Sequence, residues 1–222
     1  MTHRSLIIGA SGGIGSPITA KLRDNGSEVT TLSRSVDGLD VTDEASVEAA
    51  LGDVEGEFQL ILVATGALEI GGAVPEKALK EVTAQAMADQ FAVNCIGPSL
   101  VMKHALPLLP RNGRCCFAAL SARVGSIGDN AIGGWYSYRT SKAALNQMIH
   151  SAAIELRRTH REAVCVALHP GTVETEFTAK YAGRHKTVKP EEAAKNLLAV
   201  LEGLGPEDSG LFFDWQGERI VW

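Results

Sequence analysis

No stretch of this sequence stays apolar and uncharged long enough to cross a bilayer. The run near its start, in MTHRSLIIGASG, meets glycine too soon to be the apolar segment of a secretory signal. A cytoplasmic location is expected on both counts. There is no excess of positive charge either: 21 Lys and Arg stand against 26 Asp and Glu, for a formal net charge of -5. That balance argues against nonspecific adhesion to nucleic acid or to an anionic membrane, while leaving room for a basic pocket around one phosphate. Cysteine is sparse. Cys95, Cys115, Cys116 and Cys165 lie in apolar stretches without C-x-x-C spacing, so free buried thiols are expected rather than a disulfide framework or a metal site. Repeats, low-complexity segments and linker-like composition are also missing. At 222 residues, 45% hydrophobic and 21% charged, the chain suits one globular domain spanning 1–222 and is short for two.

What is present is an alternation of short apolar runs with helical spacing. Ser5–Gly9, Glu28–Leu32, Phe58–Ala64, Arg114–Leu120, Ala163–His169 and Gly210–Asp214 read as strands, and a further short one is expected just before Asp40. Ile14–Asn25, Asp43–Leu51, Tyr136–Thr159 and Pro190–Leu204 read as helices. A longer helical stretch spans Ala84–Leu109, where Pro98 and Pro107, with Pro110 just beyond, predict a kink or an early end. Right-handed crossovers between such units give an α/β fold of Rossmann type: one doubly wound, mostly parallel sheet with helices on both faces. Ligands in such sheets bind beyond the carboxyl ends of the strands, where the strand order reverses.

The chemistry-bearing residues fall at those ends. Gly9-Ala10-Ser11-Gly12-Gly13-Ile14-Gly15 joins the first strand to the first helix. A chain that turns sharply, approaches a pyrophosphate and packs a helix on a strand favours residues without a Cβ there, and the helix start turns free N–H groups toward the phosphates. At the end of the second strand an acid would bind the ribose of NAD, and a base the 2′-phosphate of NADP. The sequence there is Thr31-Leu32-Ser33-Arg34-Ser35, with no carboxylate before Asp37. Arg34 and the Ser33 hydroxyl favour NADP(H), with NAD(H) as the alternative. Asp40 or Thr42 can cap the helix that follows.

Tyr138 and Lys142 stand four residues apart on one helix face. A tyrosine with an ordinary pKa of about 10 exchanges protons poorly at neutral pH. A neighbouring ammonium lowers that value, and the pair becomes an acid/base unit for an alkoxide. Such a pair means little by itself; here it follows a glycine loop and Ser121 at a strand end, whose hydroxyl can hold a carbonyl oxygen. Asn94, inside the apolar run Phe91-Ala92-Val93-Asn94-Cys95-Ile96-Gly97, needs partners for a buried amide and implies a distorted helix. His169 reads as a strand-end histidine rather than a catalyst.

GASGGIG, DVT, VNCIG, LSARVGSIGDN, YSYRTSK and HPGTVET, in this order over the whole chain, resemble the short-chain dehydrogenase/reductase family. The segment Ser121–Tyr138 is similar to its branch of C-factor proteins and sniffer-type carbonyl reductases. The resemblance implies hydride transfer between a nicotinamide and a carbonyl or alcohol. It implies that Asp40 meets the adenine edge with Val41 covering the ring, and that Asn94 holds a water in a proton relay from the lysine. It implies that Pro170, Gly171, Val173 and Thr175 pass the nicotinamide, with Thr175 on its carboxamide. It also implies a homodimer or homotetramer through the helices around Asn94 and Tyr138, with Leu100, Met102 and Ala105 in either the core or that interface. Ala64-Thr65-Gly66 stands where the family has Asn-Ala-Gly, so one hydrogen bond bracing the sheet is altered. Ser121 lies farther from the tyrosine than is usual; Ser126 is the alternative hydroxyl, and the Gly-Asp-Asn insertion is expected to form a loop over the substrate mouth. The short segment after Thr175 predicts a small lid and an open pocket.

The expected function is therefore an NADP(H)-dependent oxidoreductase for a small carbonyl or alcohol substrate, with Asn94, Ser121, Tyr138 and Lys142 as its catalytic set and no metal. Two other classes stay open. One is a cofactor-binding regulatory protein of the C-factor type with little turnover. The other is a redox-neutral reaction such as epimerisation, which usually needs a larger substrate domain than this chain has room for.

Overall fold

The computed structural model describes residues 3–181 and 186–222. Its strands are β1 (Arg4–Ile8), β2 (Glu28–Leu32), β3 (Leu60–Val63), β4 (Cys115–Leu120), β5 (Ala163–His169) and β6 (Phe212–Asp214). They form one parallel sheet in the order β2-β1-β3-β4-β5-β6, so the winding direction reverses between β1 and β3. Successive strand residues face opposite sides, and both sides are apolar because both are covered. Leu6, Ile8, Ile61, Val63, Phe117 and Ala119 face one helical layer, while Ile7, Leu62, Ala118, Val164 and Val166 face the other.

The helices are α1 (Gly15–Asp24), α2 (Arg34–Asp37), α3 (Glu44–Gly52), α4 (Ala84–Phe91), α5 (Gly97–Ala105), α6 (Tyr136–Leu156) and α7 (Pro190–Gly203). α1 and α7 cover one face of the sheet through Ile18, Leu22, Leu197 and Leu198. α3, α5 and α6 cover the other through Val47, Val101, Leu145 and Ile149. Met102 and Ala105 belong to this core, and Leu100 packs at its margin. No helix among the described residues is long and apolar enough to cross a membrane. All four cysteines are free and buried, and burial pushes the Cys115 and Cys116 thiols up to about 11 and about 12.

Two expectations need correction. The short strand before Asp40 does not form. After β2 the chain makes the single turn of α2, closed by Gly38 with φ of 71°. Its backbone groups are then satisfied locally, Leu39 N–H by the Ser33 carbonyl and Thr42 N–H by the Asp40 carboxylate, leaving none for a sheet edge. The long helix expected over Ala84–Leu109 is broken into α4, a π-helical turn at Ala92–Ile96, α5, and a 3-10 turn at Leu106–Leu108. The wide turn sits just before Pro98, which has no N–H to offer the carbonyl of Asn94 four residues back.

Beyond β6 the chain folds back on itself. Asp214 N–H meets the Glu218 carbonyl at 2.9 Å, and Ile220 N–H meets Phe212 at 2.8 Å. Trp222 stacks on Phe212 with ring centres 6.0 Å apart. The open edge of the sheet is thereby covered.

Candidate active site

The reversal between β1 and β3 is walled by glycines. A Cβ on Gly15 would lie 2.2 Å from the Gly9 carbonyl oxygen, and one on Gly13 would lie 2.6 Å from the Thr175 methyl. On Gly9, whose φ is 85°, a Cβ would come 3.0 Å from Ala64 and Thr65. The loops after β1, β3 and β5 thus converge with no space for side chains. α1 opens from Ile14 without a side-chain cap, so its first N–H groups face this cradle alongside Ser11 and Gly12. Thr65 Oγ1 is buried against it with no hydrogen-bond partner among the described residues. A cradle that excludes Cβ atoms and ends in an uncapped helix fits a dinucleotide pyrophosphate.

At the end of β2, Arg34 is exposed and Ser33 is buried. Asp37 is the first carboxylate after β2 in the sequence, and the turn of α2 folds it back onto Ser33. Its Oδ2 accepts the Ser33 N–H at 2.7 Å and the Ser33 hydroxyl at 3.2 Å. Asp40 accepts the Thr42 N–H at 2.9 Å and the Thr42 hydroxyl at 2.7 Å, and these bonds hold its carboxyl below the usual carboxylate range. Neither residue caps the next helix; Asp43 does, accepting the Ala45 N–H at 3.1 Å. Val41 sits against Gly97 at the start of α5, where a Cβ would lie 2.9 Å from it.

The structure brings Asn94, Lys142 and Gly66 together: a Cβ on Gly66 would lie 3.0 Å from Asn94 Oδ1 and 3.5 Å from Lys142 Nζ. The Asn94 amide is fully satisfied as a brace. It donates to the Ala67 carbonyl at 2.8 Å and to Gln90 Oε1 at 2.6 Å, and accepts the Ala67 N–H at 3.0 Å. Lys142 Nζ donates to the Leu120 carbonyl at 3.0 Å and lies 5.9 Å from the Tyr138 ring centre. Both side chains are buried. Burial pushes the ammonium of Lys142 down to about 8, with Cys95 opposing weakly, and pushes the Tyr138 phenol up. The phenol expected to be lowered by its lysine is raised instead, and desolvation is the cause.

Ser121 and Ser126 are both committed elsewhere. The Ser121 hydroxyl donates to Asn146 Oδ1 at 2.6 Å, inward toward α6. Ser126 donates to the Val221 carbonyl at 2.5 Å and accepts the Asp129 N–H at 3.0 Å. A hydroxyl has one proton to give, so Ser121 can hold a carbonyl oxygen only by releasing Asn146. Ser121→Ala is therefore expected to lower stability by about 1–3 kcal/mol, the cost of an orphaned acceptor, while turnover changes by only a few-fold. Thermal melts beside steady-state kinetics check this; a collapse of turnover at unchanged Tm would restore Ser121 to the chemistry.

Pro170 is buried, and Gly171, with φ of 79°, packs against Trp215. Val173 bridges to Val188, which sets the loop that carries Thr175 over Gly13. His169 keeps a buried Nδ1 without a partner among the described residues. Burial, and then Arg123, push it down to about 4, so it is a neutral strand-end histidine.

Residues 18–202 match the family model described as enoyl-(acyl carrier protein) reductase, a short-chain dehydrogenase model. The chain belongs to the short-chain dehydrogenase/reductase family. It is 39% identical to the C-signal of Myxococcus xanthus over 65% of this chain and 84% of that one. It is 32% identical to the 1-hydroxy-2-glutathionyl-2-methyl-3-butene dehydrogenase of Rhodococcus sp. (strain AD45), over 98% of each. The NADPH-bound carbonyl reductase from chicken fatty liver superposes with a TM-score of 0.86 at 25% identity, covering 100% of this chain and 94% of that one.

In this reductase-family chain the substrate mouth has walls that sequence patterns did not reveal. The insertion before Tyr138 is tied to the end of the sheet at β6: Gly128 N–H bonds the Trp222 carbonyl at 2.7 Å, and Arg123 pairs with Asp129 at 3.3 Å and with Asp214 of β6 at 2.8 Å. The wall is aromatic. Trp135 meets Tyr138 edge-on at 6.3 Å and Tyr181 at 5.5 Å, and Phe177 tilts against Tyr138 at 6.2 Å. The segment after Thr175 also reaches farther than expected. Tyr181 OH donates to Glu69 Oε1 at 2.6 Å, and Lys180 pairs with the same carboxylate at 2.8 Å. These partners lie up to 112 residues apart and leave no local trace in the sequence.

Proposed function

We propose that this short-chain dehydrogenase/reductase is an NADP(H)-dependent carbonyl reductase, acting reversibly on small apolar carbonyl or alcohol compounds. The observation that carries the reading is the placing of Asn94 and Lys142 beside Gly66, after the strand next to the glycine cradle, with the Tyr138 ring next to Lys142. Residues Gly9–Gly15 would hold the pyrophosphate, Arg34 the 2′-phosphate, Asp40 and Val41 the adenine, and Ala64–Gly66 the adjoining ribose. Lys142 would bind the nicotinamide ribose, and Pro170, Gly171, Val173 and Thr175 would line the carboxamide side. When bound, the cofactor supplies or accepts the hydride at its nicotinamide.

The chain's own part is to place the carbonyl and to move one proton. Tyr138, kept protonated by burial, donates its hydroxyl to the carbonyl oxygen and passes the proton as alkoxide charge develops. Lys142 in its charged form then stabilises the phenolate left behind, and Asn94 keeps the lysine's surroundings fixed. Trp135 and Phe177 favour an apolar substrate face by excluding water from the Tyr138 ring. The sniffer-type resemblance, and the chicken reductase's bound NADPH, support the cofactor and the reaction class.

The experiment is a screen of ketones, aldehydes and alcohols with both nicotinamide cofactors, beside a fluorescence titration of NADPH and NADH. NADPH-dependent turnover supports the reading; tight NADPH binding with no turnover across the panel would favour the regulatory alternative. Arg34→Ala is expected to weaken NADPH binding by about 10–100-fold, the loss of one charge-assisted contact of roughly 1.5–3 kcal/mol, and to leave NADH binding unchanged. Equal loss for both cofactors would remove Arg34 from the phosphate site. Pairing of copies through the α4–α6 face, where Ile96 and Met148 are exposed, is part of the same reading and is checked by sedimentation.

A further inference from the structure

Glu76 lies in the loop between β3 and α4 and is 5% exposed. It forms no ion pair with any described residue. Its polar atoms all go to the start of α6. Oε2 accepts the Ser137 N–H at 3.2 Å, Oε1 accepts the Ser137 hydroxyl, and its main-chain carbonyl accepts the Trp135 N–H at 2.5 Å. A helix normally takes its cap from the residue just before it. α6 has no such cap: its flanking residue is Trp135, and the carboxylate arrives from 61 residues away.

Trp135 itself is strained. Its φ of 53° makes it the one non-glycine residue with positive φ among those described, and it follows Gly133 and Gly134 at 70° and 67°. A bulky residue keeps that conformation only when its surroundings impose it. Here the Glu76 carbonyl holds its N–H, and Arg139 Nε holds the Gly134 carbonyl at 2.9 Å. The consequence is that the indole is turned edge-on to the Tyr138 ring. Glu76, Ser137 and Tyr138 also line one small cavity with Gln90 of α4, Pro75 and Ile70.

We propose that Glu76 is the positioning residue for the proton-transfer tyrosine, fixing Tyr138 and Trp135 through the first turn of α6. The inference rests on the reading of Tyr138 as the acid. Every other group lining that cavity is uncharged: Ala86 and Gln90 from α4, Ser137 and Tyr138 from α6, and Leu68, Ile70, Ala73, Val74 and Pro75 from its own loop. The neighbouring Lys77 turns its N–H to Glu81 at 2.8 Å.

The test compares Glu76→Ala with Glu76→Gln in the full chain. Alanine removes the cap, and kcat is expected to fall about 10–100-fold with KM for cofactor unchanged, as for a misplaced acid. Glutamine keeps an acceptor for the Ser137 N–H, so kcat recovers to near the parent value. An unchanged kcat in the alanine variant, or a glutamine variant whose kcat stays as low as that of alanine, would overturn the proposal. A readout independent of turnover separates its failure from that of the functional reading. In a Trp215→Phe/Trp222→Phe background Trp135 is the single tryptophan, and Glu76→Ala is expected to shift its emission to the red. An unshifted emission counts against Glu76 whatever Tyr138 does.

Discussion

Replacing Tyr138 by phenylalanine is expected to reduce kcat for carbonyl reduction by roughly 100- to 10,000-fold, the range that one general acid contributes. KM for cofactor and the melting temperature should hardly move. The ring is buried and keeps its contacts with Trp135 and Phe177, and its hydroxyl bonds to none of the described residues. Removing the hydroxyl therefore orphans no partner in the fold. Cofactor titration, thermal melts and single-turnover kinetics with the best substrate of the panel measure the three quantities. Full turnover in the phenylalanine variant would end the assignment of Tyr138.

Lys142→Met is expected to separate activity from stability. The side chain is 3% exposed, and its ammonium is held down to about 8 by burial, against 10.5 for a solvated lysine. The sign follows from linkage. Below about pH 8 both folded and unfolded chains carry the proton, and the fold bears the whole cost of a buried charge. Between that pH and about 10.5 the unfolded chain holds the proton and the folded chain does not, so stability rises with pH. Methionine fills the same space without a charge and lacks this term. The melting temperature of the variant relative to the parent should therefore be higher at pH 7 than at pH 10. Each kcal/mol is worth roughly 2–4 °C at this chain length. Turnover at pH 7 should fall at least about 100-fold, because nothing then stabilises the phenolate of Tyr138. A melting difference that is flat with pH would show that Lys142 is not the buried cation the geometry makes it.

The parts of this site that local sequence reveals are those built from neighbours. The glycine loop, the Tyr138–Lys142 pair on one helix face and the loop from Pro170 to Thr175 each lie within a few residues, and each stands where its spacing places it. Asn94 in an apolar run beside Pro98 was enough to signal a broken helix. The wide turn there lets Asn94 brace Ala67, a pairing across 27 residues that spacing alone does not contain. Ser121 is the opposite case. Its position at a strand end was legible, but the direction of its hydroxyl depends on Asn146, 25 residues away. The contact of Asp37 with Ser33 was not legible for another reason: one turn of helix, too short to leave a periodic pattern, carries it back there. Glu76 left no trace, because an isolated acid in a loop looks like any solvated charge until the fold buries it.

The π-helical turn at Ala92–Ile96 has a consequence for how this chain tolerates insertion and deletion. A regular helix advances about 100° per residue, so one residue gained or lost rotates everything beyond it by that angle. The wide turn stores such a step between two straight segments. It lets α4 aim Gln90 at Asn94 while α5 aims Val101, Met102 and Ala105 at the sheet. Removing one residue from 92–96 would rotate everything beyond it and turn one of those two faces to solvent, while Pro98 would still leave a carbonyl four residues back without its N–H. The irregularity is a phase correction: the core and the active site read the same helix in different registers, and the wide turn reconciles them.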